Sequence, residues 1–175
     1  RHTHLPEHKF VSGQPETGAD LADDLERIAT NFGPENIAAC IVEPIAGSTG
    51  TLVPPKGYLQ KLRDTCDKHG ILLIFDEVIT GWGRTGSVFA SQEFGVIPDI
   101  MTMAKATTNG VVPMGVVACK DEIYDAVMDA SPMGSVELFH GYTYSRIPVA
   151  VAAALAVQDI FEKEDIFERA KNLAK

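Results

Sequence analysis

The sequence is short of positive charge, of cysteine and of long apolar runs. Its 175 residues include 15 lysines and arginines against 24 aspartates and glutamates, which gives a formal net charge of −9. The basic residues are scattered, which argues against a nucleic-acid partner, because binding to phosphates needs concentrated positive charge. No apolar stretch approaches the ~20 residues that cross a bilayer. The first ten residues, RHTHLPEHKF, contain no apolar signal segment, so we expect no membrane partner and no export signal.

Cysteine is scarce, and its three copies, Cys40, Cys66 and Cys119, are widely spaced. An odd number at such spacing predicts neither a disulfide framework nor a zinc site. We expect reduced thiols in a cytosolic protein, each packed as a small residue in an apolar core. The histidines at positions 2, 4 and 8 lack the cysteine or acidic partners that a metal site needs, so no metal is expected.

Apolar runs alternate with helical patterns along the chain. The runs predict strands at 36–44, 71–75, 98–103 and 116–119. Apolar residues at helical spacing predict helices over 20–33, 58–70 and from Pro148 onward, and Asp165 is expected to be the N-cap of a last helix. Strands that are apolar throughout are typical of parallel sheets covered by helices. The expected fold class is therefore α/β, with a mostly parallel sheet flanked by helices.

Charged residues lie at or just beyond the ends of three of the predicted strands, namely Glu43, Asp76 and Lys105. Ligands of parallel sheets bind at the carboxyl ends of the strands, so these residues predict a shared site. Asp76 follows five consecutive apolar residues, and a carboxylate at the end of a buried strand needs a partner that offsets its desolvation.

One interpretation of an apolar strand that ends in acids is the magnesium site of a P-loop ATPase. That site also needs the phosphate loop G-x-x-x-x-G-K-[ST], which the sequence lacks. The segment GWGRTG supplies glycines but no lysine. The ATPase is therefore the weaker interpretation.

The other interpretation starts from Lys105, whose neighbours Met101, Met103 and Ala104 are apolar. Apolar surroundings disfavour the ammonium form and leave a nucleophilic amine that can form a Schiff base. Pyridoxal phosphate would supply the carbonyl for Lys105 and a ring nitrogen that pairs with an acid such as Asp76.

Four segments together resemble the class III pyridoxal-phosphate aminotransferases: IVEPIAGSTGTLVPPKGYL, LLIFDEVITGWGRTG, GVIPDIMTMAKATTNGVVPMG and FHGYTYS. The sequence is most similar to the ω-amino acid (β-alanine):pyruvate group, from about Asn36 onward. The resemblance implies part of the large domain of the PLP-dependent transferase fold, which is aspartate aminotransferase-like and called fold type I. It also implies an enzyme that moves an amino group from an ω-amino acid or amine to pyruvate or another 2-oxo acid.

The resemblance implies roles for five residues. Lys105 would form the internal aldimine and transfer the proton, and Asp76 would pair with the pyridine nitrogen. Val78 would pack against the cofactor ring. Thr143 would donate its hydroxyl to the cofactor phosphate across a dimer interface, and Glu43 would position the substrate at the mouth of the site.

The resemblance further implies a cytoplasmic homodimer or homotetramer. Arg84 is expected to be structural, binding loop carbonyls or a neighbouring chain. After TYS the sequence departs from the family pattern with Arg146, Ile147 and Pro148.

Members of this family are more than twice as long, so the sequence is interpreted as a fragment. Residues 1–20 would lead into the domain, 21–161 would form the second half of the PLP-binding large domain, and 162–175 would start the C-terminal segment. Two alternatives stay open: an aminomutase of the same fold, and a truncated module that is catalytically silent.

Overall fold

The computed structural model describes residues 5–8, 11–133 and 142–173. Its strands are β1 (Ala39–Val42), β2 (Leu72–Asp76), β3 (Ile100–Met103) and β4 (Val116–Cys119). Its α-helices are α1 (Asp23–Phe32), α2 (Tyr58–His69), α3 (Ala90–Phe94), α4 (Asp121–Asp129), α5 (Pro148–Lys163) and α6 (Ile166–Leu173). Short 3₁₀ helices occupy Pro6–His8, Ala19–Ala22, Pro34–Asn36 and Lys105–Thr107. The histidines at positions 2 and 4, and residues 139–141 of the segment FHGYTYS, lie outside the described residues.

The four strands form one sheet in the order β1-β2-β3-β4. β1 pairs with β2 and β2 with β3 in parallel, whereas β4 pairs antiparallel with β3. The prediction of a mostly parallel α/β sheet is confirmed. The reversed direction of β4 was not predicted. It follows from the connection between β3 and β4, a turn-rich segment that contains no crossover α-helix, which a parallel pairing needs.

The core lies between α2, α1 and one face of the sheet. The predicted helix over 58–70 is confirmed, and its buried face includes the four residues expected from the spacing, Tyr58, Leu59, Leu62 and Cys66. The helix ends at Gly70, whose left-handed backbone (φ 66°) suits a residue without Cβ. On β2, Leu73 and Phe75 are fully buried against this layer.

Burial of the remaining apolar residues is less complete than the sequence predicts. Leu25 of α1 is buried, but Ile28 is 47% and Phe32 69% exposed. Ile28 lines an open cavity of about 520 Å³ between α1 and β1 instead of entering the core. Ile41 of β1 is 63% and Val117 of β4 69% exposed, because these two strands are the edges of the described sheet. The expectation of strands buried on both faces is therefore wrong for the edge strands.

The three cysteines lie in three different environments, and all are free thiols. Cys66 is buried in the core as expected and Cys40 is half-buried, whereas Cys119 is exposed at the end of β4, which corrects the expectation that it is a core residue. Cys40 and Cys66 share a hydrogen bond, which lowers the pKa of the Cys40 thiol and raises that of Cys66.

Within the described ranges, no helix combines the length and the apolar character that crossing a membrane requires.

Candidate active site

Asp76 and Lys105 follow adjacent parallel strands. Asp76 is the last residue of β2 and is the register partner of Thr102 in β3. Glu77 extends this pairing, since its N–H donates to the carbonyl of Thr102 at 2.9 Å. Lys105 comes two residues after the end of β3 and begins a 3₁₀ turn. The two residues therefore lie at the same edge of the sheet, as the sequence predicted.

The Asp76 carboxylate is half-buried and only partly satisfied. Its Oδ1 accepts a hydrogen bond from the N–H of Val78 at 3.0 Å, which fixes the orientation of the side chain. Its Oδ2 has no hydrogen-bond partner in the part of the chain that the structure describes. The free oxygen can accept a hydrogen bond from a ligand.

Lys105 adopts a left-handed backbone conformation, with φ 42°. Its side chain is exposed, and among the described residues its amine has no hydrogen-bond or ion-pair partner. The expected apolar enclosure of Lys105 is therefore wrong for the described chain. Met103, at the end of β3, is buried at 7% exposure, whereas the side chain of Lys105, two residues later, is exposed.

A cleft of about 1340 Å³ lies between the ends of β3 and β4 and the start of α5. We call it the β3–α5 cleft. Val78 and Thr143 both line it, together with Ala104 and the hydroxyl residues Tyr142 and Ser145. Thr143 is exposed and has no hydrogen-bond partner within the described ranges. The structure thus brings two of the predicted cofactor-binding residues to one cleft. Lys105 directly follows the lining residue Ala104, and Asp76 is the register partner of Thr102, another lining residue.

Glu43 lies outside the lining of this cleft. It follows β1, and its Oε2 accepts a hydrogen bond from the N–H of Gly47 at 2.9 Å. Gly47 in turn packs against Ile79, since a Cβ added at Gly47 would lie 2.6 Å from Ile79 Cδ1. Glu43 therefore holds the loop after β1 against the segment that follows β2.

Glu77, the second acid of the strand end, is fully buried, with 0% exposure. Its carboxylate accepts hydrogen bonds from Thr80 Oγ1 at 2.7 Å, from the Ala90 N–H at 2.9 Å and from the Ser91 N–H at 2.8 Å. These backbone donors belong to the first turn of α3, which has no earlier carbonyl to bind them. Glu77 is thus a structural residue that fixes α3. Sequence reasoning missed it because its partners are distant in the chain.

Sequence reasoning also missed a link between Trp82 and the lysine turn. Trp82 Nε1 donates to Thr107 Oγ1 at 2.9 Å, and the Thr107 hydroxyl donates to the carbonyl of Ala104 at 2.9 Å. The single tryptophan in GWGRTG was the available signal. Arg84, in the same segment, is exposed and has no hydrogen-bond or ion-pair partner in the described chain, so it does not bind loop carbonyls there as expected.

Asp99 stabilises the opposite end of β3. It is buried and accepts hydrogen bonds from the Leu73 N–H, from Arg63 and from Lys120, at 2.7 to 2.8 Å. Burial by itself would raise the pKa of Asp99, but the hydrogen bonds from Lys120, Leu73 and Arg63, with the charge of Arg63, outweigh it and leave the pKa below its ordinary value. No group of three or more histidine, cysteine or acidic residues that could hold a metal ion occurs within the described ranges.

The family model for aminotransferase class-III matches residues 2–175, and the chain belongs to this family. This confirms the family and the enzyme class predicted from the sequence.

The chain is similar to two curated relatives over nearly its whole length. It is 59% identical to an omega-aminotransferase of Caulobacter vibrioides, over 98% of this chain and 39% of that protein. It is 51% identical to a beta-alanine–pyruvate aminotransferase of Pseudomonas aeruginosa, over 99% of this chain and 39% of that protein. The chain thus spans about two fifths of the length of these relatives.

Solved structures agree with the predicted fold. An (S)-enantioselective omega-transaminase of Thermomicrobium roseum is 44% identical with a TM-score of 0.83, over 93% of this chain and 36% of that one. A PLP-bound amine transaminase from an uncultivated Pseudomonas species is 46% identical with a TM-score of 0.78, over 84% of this chain and 33% of that one. The prediction of the PLP-dependent transferase fold is confirmed.

Proposed function

We propose that this chain is the second half of the PLP-binding large domain of an ω-amino acid:pyruvate transaminase. Residues 21–161 would form that half-domain, with 1–20 leading into it and 162–175 starting the C-terminal segment. The observation that carries the proposal is the position of Asp76 and Lys105 at the carboxyl ends of adjacent parallel strands, in a chain that shares its fold with a PLP-bound transaminase.

The free polar groups of the site suit pyridoxal phosphate. Asp76 Oδ2 has a free acceptor position and the Lys105 amine is unpaired within the described chain. Val78 and Thr143 both line the β3–α5 cleft. The ring nitrogen and the aldehyde of the cofactor match Asp76 and Lys105 of one chain, and the Thr143 hydroxyl would serve the phosphate of the cofactor in the partner subunit. When bound, pyridoxal phosphate supplies an electrophilic carbonyl and a ring that withdraws electrons from a substrate carbon.

The residues of this chain would orient the cofactor and move protons. Asp76, held by the Val78 N–H, would keep a proton on the ring nitrogen. Val78 would pack on one face of the ring. Lys105 Nζ would bind the cofactor covalently. Once the amine of the donor has displaced it, Nζ would take and return the proton of the substrate carbon, general acid–base help of about 10²–10⁴-fold.

The substrates we propose are an ω-amino acid or amine as donor and pyruvate or another 2-oxo acid as acceptor. The names of the omega-aminotransferase and beta-alanine–pyruvate aminotransferase relatives support this class. Glu43 would help to position the substrate through the loop that it holds. We also propose a cytoplasmic homodimer or homotetramer, in which Thr143 reaches the cofactor phosphate of the partner subunit.

The test is a titration of the complete protein that contains this chain with pyridoxal phosphate, followed by borohydride reduction and peptide mapping. We expect the label on Lys105, and its loss in Lys105→Ala. Lys163→Ala is the matched control, because Lys163 is an exposed lysine of α5, 75% accessible. A label spread over surface lysines, or one that persists in Lys105→Ala, would refute the assignment. Formation of alanine from pyruvate and β-alanine then separates a transaminase from an aminomutase and from a silent module.

A further inference from the structure

We propose that Trp82 and Thr107 are positioning residues for Lys105. Through one chain of hydrogen bonds they hold the backbone that carries the lysine amine. This inference rests on the proposed role of Lys105 and concerns how that residue is held in place.

The backbone at Lys105 is in a conformation that residues with a Cβ avoid. Its φ of 42° lies in the left-handed region, which costs conformational energy and persists only where neighbouring contacts enforce it. Both flanking carbonyls are bound. The Ala104 carbonyl accepts hydrogen bonds from the N–H and the hydroxyl of Thr107, both at 2.9 Å, and the Lys105 carbonyl accepts one from the Gly110 N–H at 3.1 Å.

The hydroxyl of Thr107 carries a single proton, so its direction depends on what else it binds. Trp82 Nε1 can only donate, and it donates to this oxygen at 2.9 Å. The Thr107 proton is therefore directed to the Ala104 carbonyl. Because Thr107 is 2% exposed, water has little access to replace either bond.

Trp82 is itself held firmly in place. Its ring packs edge-on against Phe89, with centroids 5.1 Å apart, and against Phe161 of α5 at 6.2 Å. Its backbone N–H donates to the Val88 carbonyl at 2.6 Å, which closes the loop around GWGRTG. The conformation of Lys105 is therefore tied to this loop through a single side-chain relay, Trp82 to Thr107 to Ala104.

Loss of the relay should change the position of the Lys105 amine more than it changes the stability of the fold. Without the hydroxyl bond, the Ala104 carbonyl keeps only the N–H of Thr107, and Lys105 can relax toward an ordinary backbone conformation that moves Nζ. A small displacement of a reacting group costs up to about 10²-fold in rate. Substrate binding by other residues should change little.

The chain offers a matched set of variants, to be made in the complete protein. The kinetics use protein loaded with pyridoxal phosphate, and the labelling rate is measured on protein from which the cofactor has been removed. Thr107→Val removes the hydroxyl with little change of shape, Thr107→Ser restores it, and Trp82→Phe removes the indole N–H. Thr108→Val is the control, because Thr108 is also 2% exposed and its hydroxyl donates elsewhere, to the Val112 carbonyl at 2.6 Å.

Three quantities are measured for each variant: kcat and KM with β-alanine and pyruvate, the rate at which Lys105 becomes labelled with pyridoxal phosphate and borohydride, and the thermal midpoint. For Thr107→Val and Trp82→Phe we expect kcat and the labelling rate to fall by about tenfold to a hundredfold, with KM within about twofold. Thr107→Ser and Thr108→Val should keep kcat near wild type. The double variant should be no worse than Thr107→Val, because both changes break the same relay.

The outcomes separate this inference from the proposed function. If wild type is labelled at Lys105 but Thr107→Val and Trp82→Phe match Thr108→Val in kcat and labelling rate, the positioning role is wrong. If wild type itself is not labelled at Lys105, the proposed function fails and the inference fails with it. Should Thr107→Val not fold, Trp82→Phe gives the same comparison with the aromatic ring retained.

Discussion

Asp76 and Thr102 are register partners in the parallel strands β2 and β3, and this pairing sets the geometry of the candidate site. The pairing places Asp76, the last residue of β2, beside Thr102 of β3. Thr102 lies three residues before Lys105 in the chain. The acid and the amine thus occupy neighbouring strand ends through backbone pairing alone. The side chain of Asp76 is then oriented by a hydrogen bond from its own strand end, at Val78.

Asp76→Asn should remove activity while leaving the fold intact. The amide oxygen of asparagine can still accept the Val78 N–H, but the charge that would hold a proton on the cofactor ring is lost. We expect kcat/KM to fall by about 10²–10³-fold, the usual effect of removing one preorganised electrostatic partner. Steady-state kinetics will measure the loss of activity, and the thermal midpoint of unfolding will show whether the fold is intact. Asp125→Asn, on the exposed face of α4, is the control, and equal activities of the two variants would contradict the role of Asp76.

Glu77→Gln should lower stability. The buried carboxylate accepts two backbone N–H groups of α3 and the Thr80 hydroxyl, and glutamine has only one acceptor oxygen. Leaving a buried donor unsatisfied costs about 1–3 kcal/mol, so the free energy of unfolding should fall by about that amount. Urea unfolding of wild type and Glu77→Gln measures this difference in free energy. Glu93→Gln is the matched control, because Glu93 is exposed and accepts a bond from Ser87.

Stability should depend on pH through Asp99. Its pKa in the folded chain lies below the ordinary value, so the unfolded state binds its proton more readily. The stabilisation is fully present above the unfolded pKa of about 3.9 and is lost as pH falls through the folded pKa. Asp99→Asn should cost about 3 kcal/mol at neutral pH, because it removes a buried carboxylate that pairs with both Arg63 and Lys120 and leaves Arg63 with Asp67 as its remaining carboxylate partner.

The measurement for Asp99 is the difference in unfolding free energy between wild type and Asp99→Asn from pH 7 to pH 3. This difference should shrink below about pH 4. The same series with Asp67→Asn, whose exposed carboxylate pairs with Arg63 at 2.7 Å, serves as control. A difference for Asp99→Asn that is constant over the whole range would refute the linkage.

Local patterns predicted the elements that depend on neighbours in the chain. Helix α2 was predicted by the spacing of Leu59 and Leu62 and by its stop at Gly70, and the parallel pairs by apolar strands separated by helices. The buried role of Glu77 and the relay from Trp82 to Thr107 could not be predicted, because their partners lie 13 to 25 residues away in the chain. The burial of Ile41 and Val117 was predicted wrongly for a related reason. Both residues lie in apolar runs typical of strands, but the sequence pattern does not show which strands are at the edges of the sheet.

Gly81→Ala should lower stability by steric contact. The backbone at Gly81 is outside the left-handed region, so conformational freedom is not what requires glycine there. A Cβ at this position would lie 2.8 Å from the carbonyl oxygen of Glu77, which also accepts the Gly81 N–H at 2.9 Å. Since that oxygen belongs to the backbone, it cannot move aside as a flexible side chain could. We expect the free energy of unfolding, measured in urea, to fall by about 1–3 kcal/mol.

Gly115→Ala is the control, because its Cβ would meet the Met103 carbonyl only at 3.9 Å, an ordinary contact. Equal stability of the two variants would show that the turn after Glu77 can widen, and the close approach at Gly81 would then carry no stabilising role.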